Sequence, residues 1–161
     1  MEFEFLNGGV FSVAPTKKYQ VAASADVIAV GTPLKLTSAG SATVAVLADA
    51  EPVIGTTTAF VGFAASASTN TASAAGTVDV FMPIEGNVYL APAKSTAAID
   101  TQAEYNALVG NQVLFDLATG VYTVDESATH NANNGLLIVD LDIAVHPGKV
   151  AFAMKQAATI N

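Results

Sequence analysis

The stretch VGFAASASTNTASAAGTVDVFMPIEG, residues 61–86, places two apolar runs on either side of a long series of small, uncharged residues. The first run is continuous, whereas the second alternates, because Val78 and Val80 fall on one face and Asp79 on the other. Both patterns are typical of β-strands. A hairpin turn needs only a few residues. We therefore interpret the small residues either as a flat protein–protein contact or as a loosely held surface loop.

Short apolar runs bounded by turn residues continue from Val21 to the end of the chain. Leu137, Val139, Leu141 and Ile143 are predicted to share one face of the strand in 135–145. We predict strands within the segments 27–30, 34–36, 41–49, 59–66, 77–83, 87–93, 111–117, 121–125, 135–145 and 149–154. About ten short strands with frequent turns indicate an all-β barrel or sandwich.

One short helix is predicted within DTQAEYNALVG, residues 100–110. Thr101 can act as its N-cap, and Glu104, three residues later, completes a capping box. Gly110 stands where a glycine commonly ends a helix.

The composition is unusually poor in charge for a chain of 161 residues, since 52% are hydrophobic and only 12% charged. A typical soluble domain is about 25% charged. Such a surface is commonly covered by copies of the same chain or by a partner. The chain has no cysteine, which excludes disulfides and thiolate metal sites.

The charge balance argues against several classes of partner. The formal net charge is −8, and the six basic residues are all lysines. A chain without arginine is a poor candidate for nucleic-acid binding, and an anionic membrane surface would repel it. No stretch reaches the roughly 18 continuous apolar residues of a membrane span. The first residues show no basic region before an apolar run, so we expect no secretory signal.

The first twenty residues, MEFEFLNGGVFSVAPTKKYQ, differ from the rest of the chain. Phe3, Phe5 and Leu6 form a short strand pattern, which the glycines at positions 8 and 9 interrupt. Phe11 follows, so three of the chain's eight phenylalanines lie in its first eleven residues. We interpret residues 1–20 either as an anchored first strand or as an arm that reaches a neighbouring molecule.

Few residues are candidates for chemistry. His130 lies in a loop rich in asparagine, and His146 precedes a Pro-Gly turn, so we interpret both as loop residues. Asp140 and Asp142 share one face of a predicted strand at roughly 7 Å, a spacing that a glycosidase pair could use. The simpler interpretation is the polar face of an amphipathic strand. We predict no catalytic residue, no cofactor and no metal site.

Three short motifs in order resemble the head-decoration, or cement, proteins of tailed bacteriophages. They are Pro-Leu-Lys-Leu at 33–36, Val-Gly-Phe-Ala at 61–64 and Glu-Gly-Asn-Val at 85–88. The resemblance covers about residues 20–95. The segment 105–128 is similar to the second β segment of larger cement proteins.

This resemblance implies a β-barrel or β-tulip subunit on the outer capsid surface, commonly a homotrimer, whose N-terminal arm adds strands to the major capsid protein. We therefore predict an arm at 1–20, a decoration domain at 21–96, and a second small β subdomain at 97–161 that could also complete the same core. The predicted partner interface on the arm consists of Phe3, Phe5, Leu6, Phe11, Val13 and Tyr19. The extra C-terminal segment departs from the smallest members of the family.

The predicted function is therefore a virion structural protein, made in the host cytoplasm, that bridges major capsid protein subunits and binds neither nucleic acid nor membrane. A fibre or carbohydrate-binding module is the first alternative, with Tyr89, Tyr105 and Tyr122 as its aromatic candidates. An enzyme that uses Asp140 and Asp142 is the second.

Overall fold

The computed structural model describes residues 4–5, 15–23, 25–56, 59–83 and 87–155, and it is mostly β, as predicted. Its strands are β1 (Glu4–Phe5), β2 (Thr16–Val21), β3 (Pro33–Leu36), β4 (Thr43–Val46), β5 (Phe60–Ala64), β6 (Gly76–Phe81), β7 (Val88–Pro92), β8 (Gln112–Ala118), β9 (Val121–Asp125), β10 (Leu136–Ile138) and β11 (Lys149–Met154). A 3-10 turn covers Thr96–Ala98, and helix α1 covers Gln102–Leu108.

Five strands form a closed barrel in the order β2-β4-β3-β5-β6. Strand β2 pairs with β6 over six antiparallel positions, from Thr16 opposite Phe81 to Val21 opposite Gly76. It pairs in parallel with β4 on its other side. The barrel interior is filled by small aliphatic side chains and one tyrosine: Tyr19, Val21, Ile28, Leu34, Leu36, Val44, Val61, Ala64, Val78 and Val80.

The remaining strands form a second sheet in the order β1-β7-β11-β10-β8-β9. A single bridge between Ala93 and Val124 brings the end of β7 back to β9, so the sheet is nearly closed. Its core is rich in aromatic rings, including Tyr89, Phe115 and Phe152.

The two cores meet at β5, whose five residues are all buried. Val61 and Ala64 face the barrel interior, whereas Phe60 and Phe63 pack into the second core. This two-sided burial explains the continuous apolar run, since neither face of β5 contacts water. The proposed division at residues 96 and 97 stays a prediction; β7, which precedes that position, is paired with β11.

The connector between β4 and β5 also ties the barrel to the second sheet. Lys35 Nζ lies 2.6 Å from Glu51 Oε2, and Glu51 forms an isolated bridge with Phe115 of β8. The hydroxyl of Tyr122 donates to the carbonyl of Leu47.

Helix α1 confirms the predicted capping box. Thr101 Oγ1 accepts from the backbone N–H of Glu104, and the Glu104 carboxylate accepts from the backbone N–H of Thr101. Gly110 follows the helix with φ of 89°, a conformation that glycine adopts easily.

Two strand predictions were wrong in part. Residues 27–30 form no strand, and the backbone N–H of Ile28 donates to the side chain of Ser68 rather than to a neighbouring strand. The predicted strand at 135–145 ends at Ile138, and its buried side chains are Leu136 and Ile138, with Leu137 only half-buried. Alternation by itself does not reveal which face is covered when both faces are apolar.

Candidate functional site

The most unusual surface of the barrel is built by two segments, residues 25–31 and 64–70, that lie side by side and contain a single charged residue, Asp26. Gly31 N–H donates to the carbonyl of Ala64 at 2.8 Å, and Ser68 N–H donates to the carbonyl of Ile28 at 3.0 Å. The two segments therefore run antiparallel. Both hydrogen bonds join segment 25–31 to segment 64–70, which continues from strand β5 of the barrel.

Side chains complete this pairing where a regular ladder is missing. Ser68 Oγ accepts from Ile28 N–H at 2.8 Å and donates to Asn70 Oδ1 at 2.5 Å. Asn70 Nδ2 in turn donates to the carbonyl of Ala25 at 2.7 Å. Both Ser68 and Asn70 are buried, so the two bonds that the Ser68 hydroxyl makes are shielded from water, whereas the bond to Ala25 is only partly buried.

Tight packing requires a glycine at position 76. A Cβ atom built on Gly76 would lie 2.1 Å from the backbone nitrogen of Asn70. Thr69 and Thr77 exchange further bonds across the same hairpin, and Thr71 closes its tip with Ala74. The small residues are thus held by internal bonds, rather than forming a loosely held loop.

The side chains that point outward from these segments carry almost no charge. Val27 is 62% exposed and Val30 is 54% exposed, although both are large apolar residues. We call the exposed uncharged residues of the two segments and the adjoining hairpin the neutral face: Ala25, Val27, Ala29, Val30, Ala67, Thr69 and residues 71–75. Asp26, which is exposed, adjoins this face. Asp26 is the single charged residue of segments 25–31 and 64–75.

The neutral face has the physical properties of a protein contact. Its backbone is already ordered, so little conformational entropy is lost on binding. Uncharged side chains are also inexpensive to desolvate, and two exposed valines provide apolar area.

The predicted arm interface lies mostly outside the described residues. Phe3, Leu6, Phe11 and Val13 belong to that undescribed part, and only the backbone of Phe5 is described. Strand β1 pairs with β7 of the same chain, with Glu4 opposite Leu90 and Phe5 opposite Tyr89.

Tyr19 is placed differently from the prediction. It is 4% exposed and lies in the barrel core, where its hydroxyl contacts Met82 Sδ at 3.8 Å. Lys17 covers its ring, with Nζ at 5.0 Å from the ring centroid. We therefore remove Tyr19 from the proposed interface, because its ring already fills the barrel.

The residues considered for catalysis are not brought together. His130 is exposed and its Nδ1 accepts from the backbone N–H of Gln112 at 2.9 Å. Asp142 Oδ1 accepts from Ala144 N–H in a turn, and Asp140 is exposed beyond the end of β10. His146 lies in the same turn, where its carbonyl accepts from Lys149 N–H.

A charged cluster joins the end of β7 to the β8–β9 hairpin. Lys94 Nζ lies 2.8 Å from Asp116 Oδ1 and 2.8 Å from Asp125 Oδ2. The buried carboxylate of Glu126 accepts from the backbone N–H groups of Lys94 and Ser95.

The protonation of this cluster indicates a structural role. Hydrogen bonds to Asp116 and then Asp125 raise the pKa of Lys94 above its usual value. Burial disfavours ionised Asp125, but hydrogen bonds from Lys94 and Ser127 outweigh it, so the pKa of Asp125 lies below its usual value. Because the shifts hold Lys94 and Asp125 in their charged forms, these two groups are poorly suited to proton transfer.

The sequence reasoning did not single out Ser68 and Asn70, although these two residues position the neutral face. Their spacing of two, next to a strand, was the available signal, because it puts both side chains on the side that faces the barrel. The exposure of Val27 and Val30 had no signal in the sequence, because an apolar run such as 27–30 is equally typical of a buried strand.

Among the described ranges, no group of three or more His, Cys, Asp or Glu residues could hold a metal ion. No helix in this part of the chain is long and apolar enough to cross a membrane. A comparison of the chain with protein-family models gives no match, and a comparison with curated proteins gives none either.

Proposed function

We propose that this protein is a capsid decoration protein, which binds the outer surface of a phage head and bridges major capsid protein subunits through non-covalent contacts. The observation that carries the proposal is the neutral face, a pre-ordered and uncharged surface on a chain of net charge −8. The three motifs at 33–36, 61–64 and 85–88 support the choice of a phage head as the partner.

The mechanism is stabilisation by binding. A protein that binds the assembled shell more tightly than its loose subunits shifts the equilibrium toward assembly. A copy that touches two subunits at once also resists their separation when packaged DNA expands the shell. Neither effect requires a reactive group, so we propose no enzymatic activity. The same proposal assigns a location on the outer virion surface and a homotrimer.

The neutral face is tested by sedimenting purified heads with the double variant Val27→Asp/Val30→Asp. Two buried negative charges should reduce occupancy of the heads by at least about tenfold. Val121→Asp is the matched control, because Val121 is similarly exposed, at 51%, on the β8–β9 hairpin. Unchanged occupancy for the double variant would remove the neutral face as the capsid contact.

The arm is tested separately by deleting residues 1–14. This deletion removes Phe3, Phe5 and Phe11 but leaves β2 and the barrel intact. The deletion also removes β1, a two-residue edge strand paired with β7, so we expect a small decrease in the denaturant concentration of unfolding together with loss of binding to heads. Normal decoration by the truncated protein would contradict the arm hypothesis without affecting the neutral face.

No observation favours the carbohydrate-binding alternative. Its three aromatic candidates, Tyr89, Tyr105 and Tyr122, are all buried in the second core. An aromatic platform for sugars needs rings that reach solvent.

A further inference from the structure

The asparagine-rich segment before β10 ends in an Asn-Gly pair, Asn134–Gly135. Asparagine before glycine is prone to lose its side-chain amide, because glycine has no side chain to hinder its own backbone nitrogen. In this reaction the glycine nitrogen loses its proton and bonds to the asparagine Cγ, and the amide leaves as ammonia. Water then opens the resulting cyclic imide to aspartate or isoaspartate. The sequence of this pair is therefore chemically reactive.

The fold engages the amide that would have to leave. Asn134 is only 5% exposed. Its Nδ2 donates to the carbonyl of Gln112 at 2.8 Å and to the carbonyl of Thr129 at 3.3 Å. Its backbone N–H donates to the carbonyl of Asn131 at 2.8 Å. The side chain of Asn134 therefore has a fixed orientation in which both amide hydrogens are used.

The attacking nitrogen is engaged as well. The N–H of Gly135 donates to the carbonyl of Pro52 at 2.9 Å, and the carbonyl of Gly135 accepts from Lys155 N–H at 3.0 Å. Close by, the N–H of Ile54 donates to the carbonyl of Asn133 at 2.7 Å. The Gly135 nitrogen has to give up its bond to Pro52 before it can turn toward the Asn134 side chain, so the reaction requires these contacts to open.

We infer that Asn134–Gly135 is a modification site held unreactive by the fold: it deamidates only when residues 129–135 separate from Gln112 and residues 52–54, and the product prevents them from closing again. An aspartate carboxylate has no hydrogen to donate, so it would face the carbonyls of Gln112 and Thr129 as a buried, unpaired charge. Isoaspartate also lengthens the backbone next to Gly135. The inference does not depend on capsid binding.

The direct test compares the folded protein with the same chain in urea, both incubated at mildly alkaline pH. Tandem mass spectrometry assigns deamidation to each asparagine over time. Asn134 should react at least about a hundredfold more slowly in the folded protein, because several hydrogen bonds have to open together. Equal rates for Asn134 in the folded and the unfolded chain would overturn the inference.

A second variant pair locates the opening. His130 Nδ1 accepts from Gln112 N–H at 2.9 Å and thereby holds residues 129–135 against β8. His130→Ala should accelerate deamidation of Asn134 in the folded protein by about fivefold. His146→Ala is the matched control, since the hydrogen bonds of His146 are made by its backbone, and it should leave the rate unchanged. Equal rates in these two variants would overturn the assignment of the opening to residues 129–135.

The effect of the product is tested with Asn134→Asp. This variant should unfold at a lower urea concentration than the unaltered protein, and the amides of Ile54 and Gly135 should exchange faster. Asn131→Asp is the matched control: it adds the same charge, but Asn131 is exposed and its Oδ1 only accepts, from Asn133 N–H, as a carboxylate also can. Failure of Asn134→Asp alone to fold would support the inference, whereas equal behaviour of the two variants would overturn it.

Discussion

The barrel and the second sheet are stabilised in different ways. The barrel interior contains mostly valine, leucine and alanine, and its outer segment is held by the buried polar pair Ser68 and Asn70. The second core instead relies on aromatic packing: Phe115 makes edge contacts with Phe152 at 5.4 Å and with Phe63 at 6.4 Å between ring centroids. A closed five-stranded barrel has a narrow interior that large rings would overfill, whereas the nearly closed six-stranded sheet encloses a wider interior with space for rings.

The two regions also differ in charge. The neutral face belongs to the barrel, whereas the Lys94 cluster and most exposed acids belong to the second sheet unit. In the proposed function, the barrel supplies the uncharged contact and the second sheet unit carries most of the exposed negative charge.

The comparison is tested most strongly at β5, where the two cores meet. Phe63→Ala removes a ring from the aromatic cluster and should lower the free energy of unfolding by about 4 kcal/mol. Val61→Ala, two residues away and inside the barrel, should lower it by about 2 kcal/mol. Because both residues belong to one strand, chemical denaturation of either variant should remain a single transition. Two separate transitions would show that the barrel and the second sheet unfold independently.

The close packing of the barrel hairpin is tested by Gly76→Ala. The new methyl group would meet the Asn70 backbone at 2.1 Å, so we expect a loss of about 3 kcal/mol in denaturant unfolding. Ala75→Ser, at the exposed neighbouring position, is the control and should change stability by less than about 0.5 kcal/mol. A stable Gly76→Ala protein would mean that the hairpin is not held against the barrel.

The polar pair is tested by Ser68→Ala. This variant leaves the buried Ile28 N–H and the Asn70 amide oxygen without the serine hydroxyl, which should cost about 2 kcal/mol. Hydrogen exchange at Ile28 should become faster in the same variant. Ser73→Ala removes an exposed hydroxyl from the same loop and should change neither measurement. If both variants behave alike, the buried bonds do not hold the neutral face.

The smallest effect is expected at the charged cluster. The pKa of Asp125 is lower in the folded protein than in the unfolded chain, so its ionised form stabilises the fold above its ordinary pKa. Asp125→Asn should cost about 1 kcal/mol at pH 7. This difference from the unaltered protein should begin to shrink as the pH falls below about 4, the ordinary pKa of the carboxyl in the unfolded chain, and should disappear below the lowered pKa of the folded carboxyl.

Asp140→Asn is the control for that measurement, because Asp140 is exposed and lies outside the cluster. A stability difference for Asp125→Asn that stays constant down to pH 2 would show that the carboxylate charge is not responsible.

Part of the fold could be predicted from local patterns. Thr101 and Glu104 predicted helix α1, because a capping box involves only residues within one turn. The alternation of Val78 and Val80 predicted the buried face of β6. The exposure of Val27 and Val30 and the burial of Tyr19 could not be predicted, since each depends on which distant segment packs beside it.

The sequence by itself determined an all-β chain with one capped helix, few charges and no cysteine, because those properties follow from residue type and spacing. Tertiary structure alone decided that five strands close into a barrel, that β5 serves two cores, and that Ser68 and Asn70 turn a run of small residues into an ordered surface. The physical reason is that hydrogen bonds and burial between residues as distant as Ala25 and Asn70 leave no periodic signal in the chain.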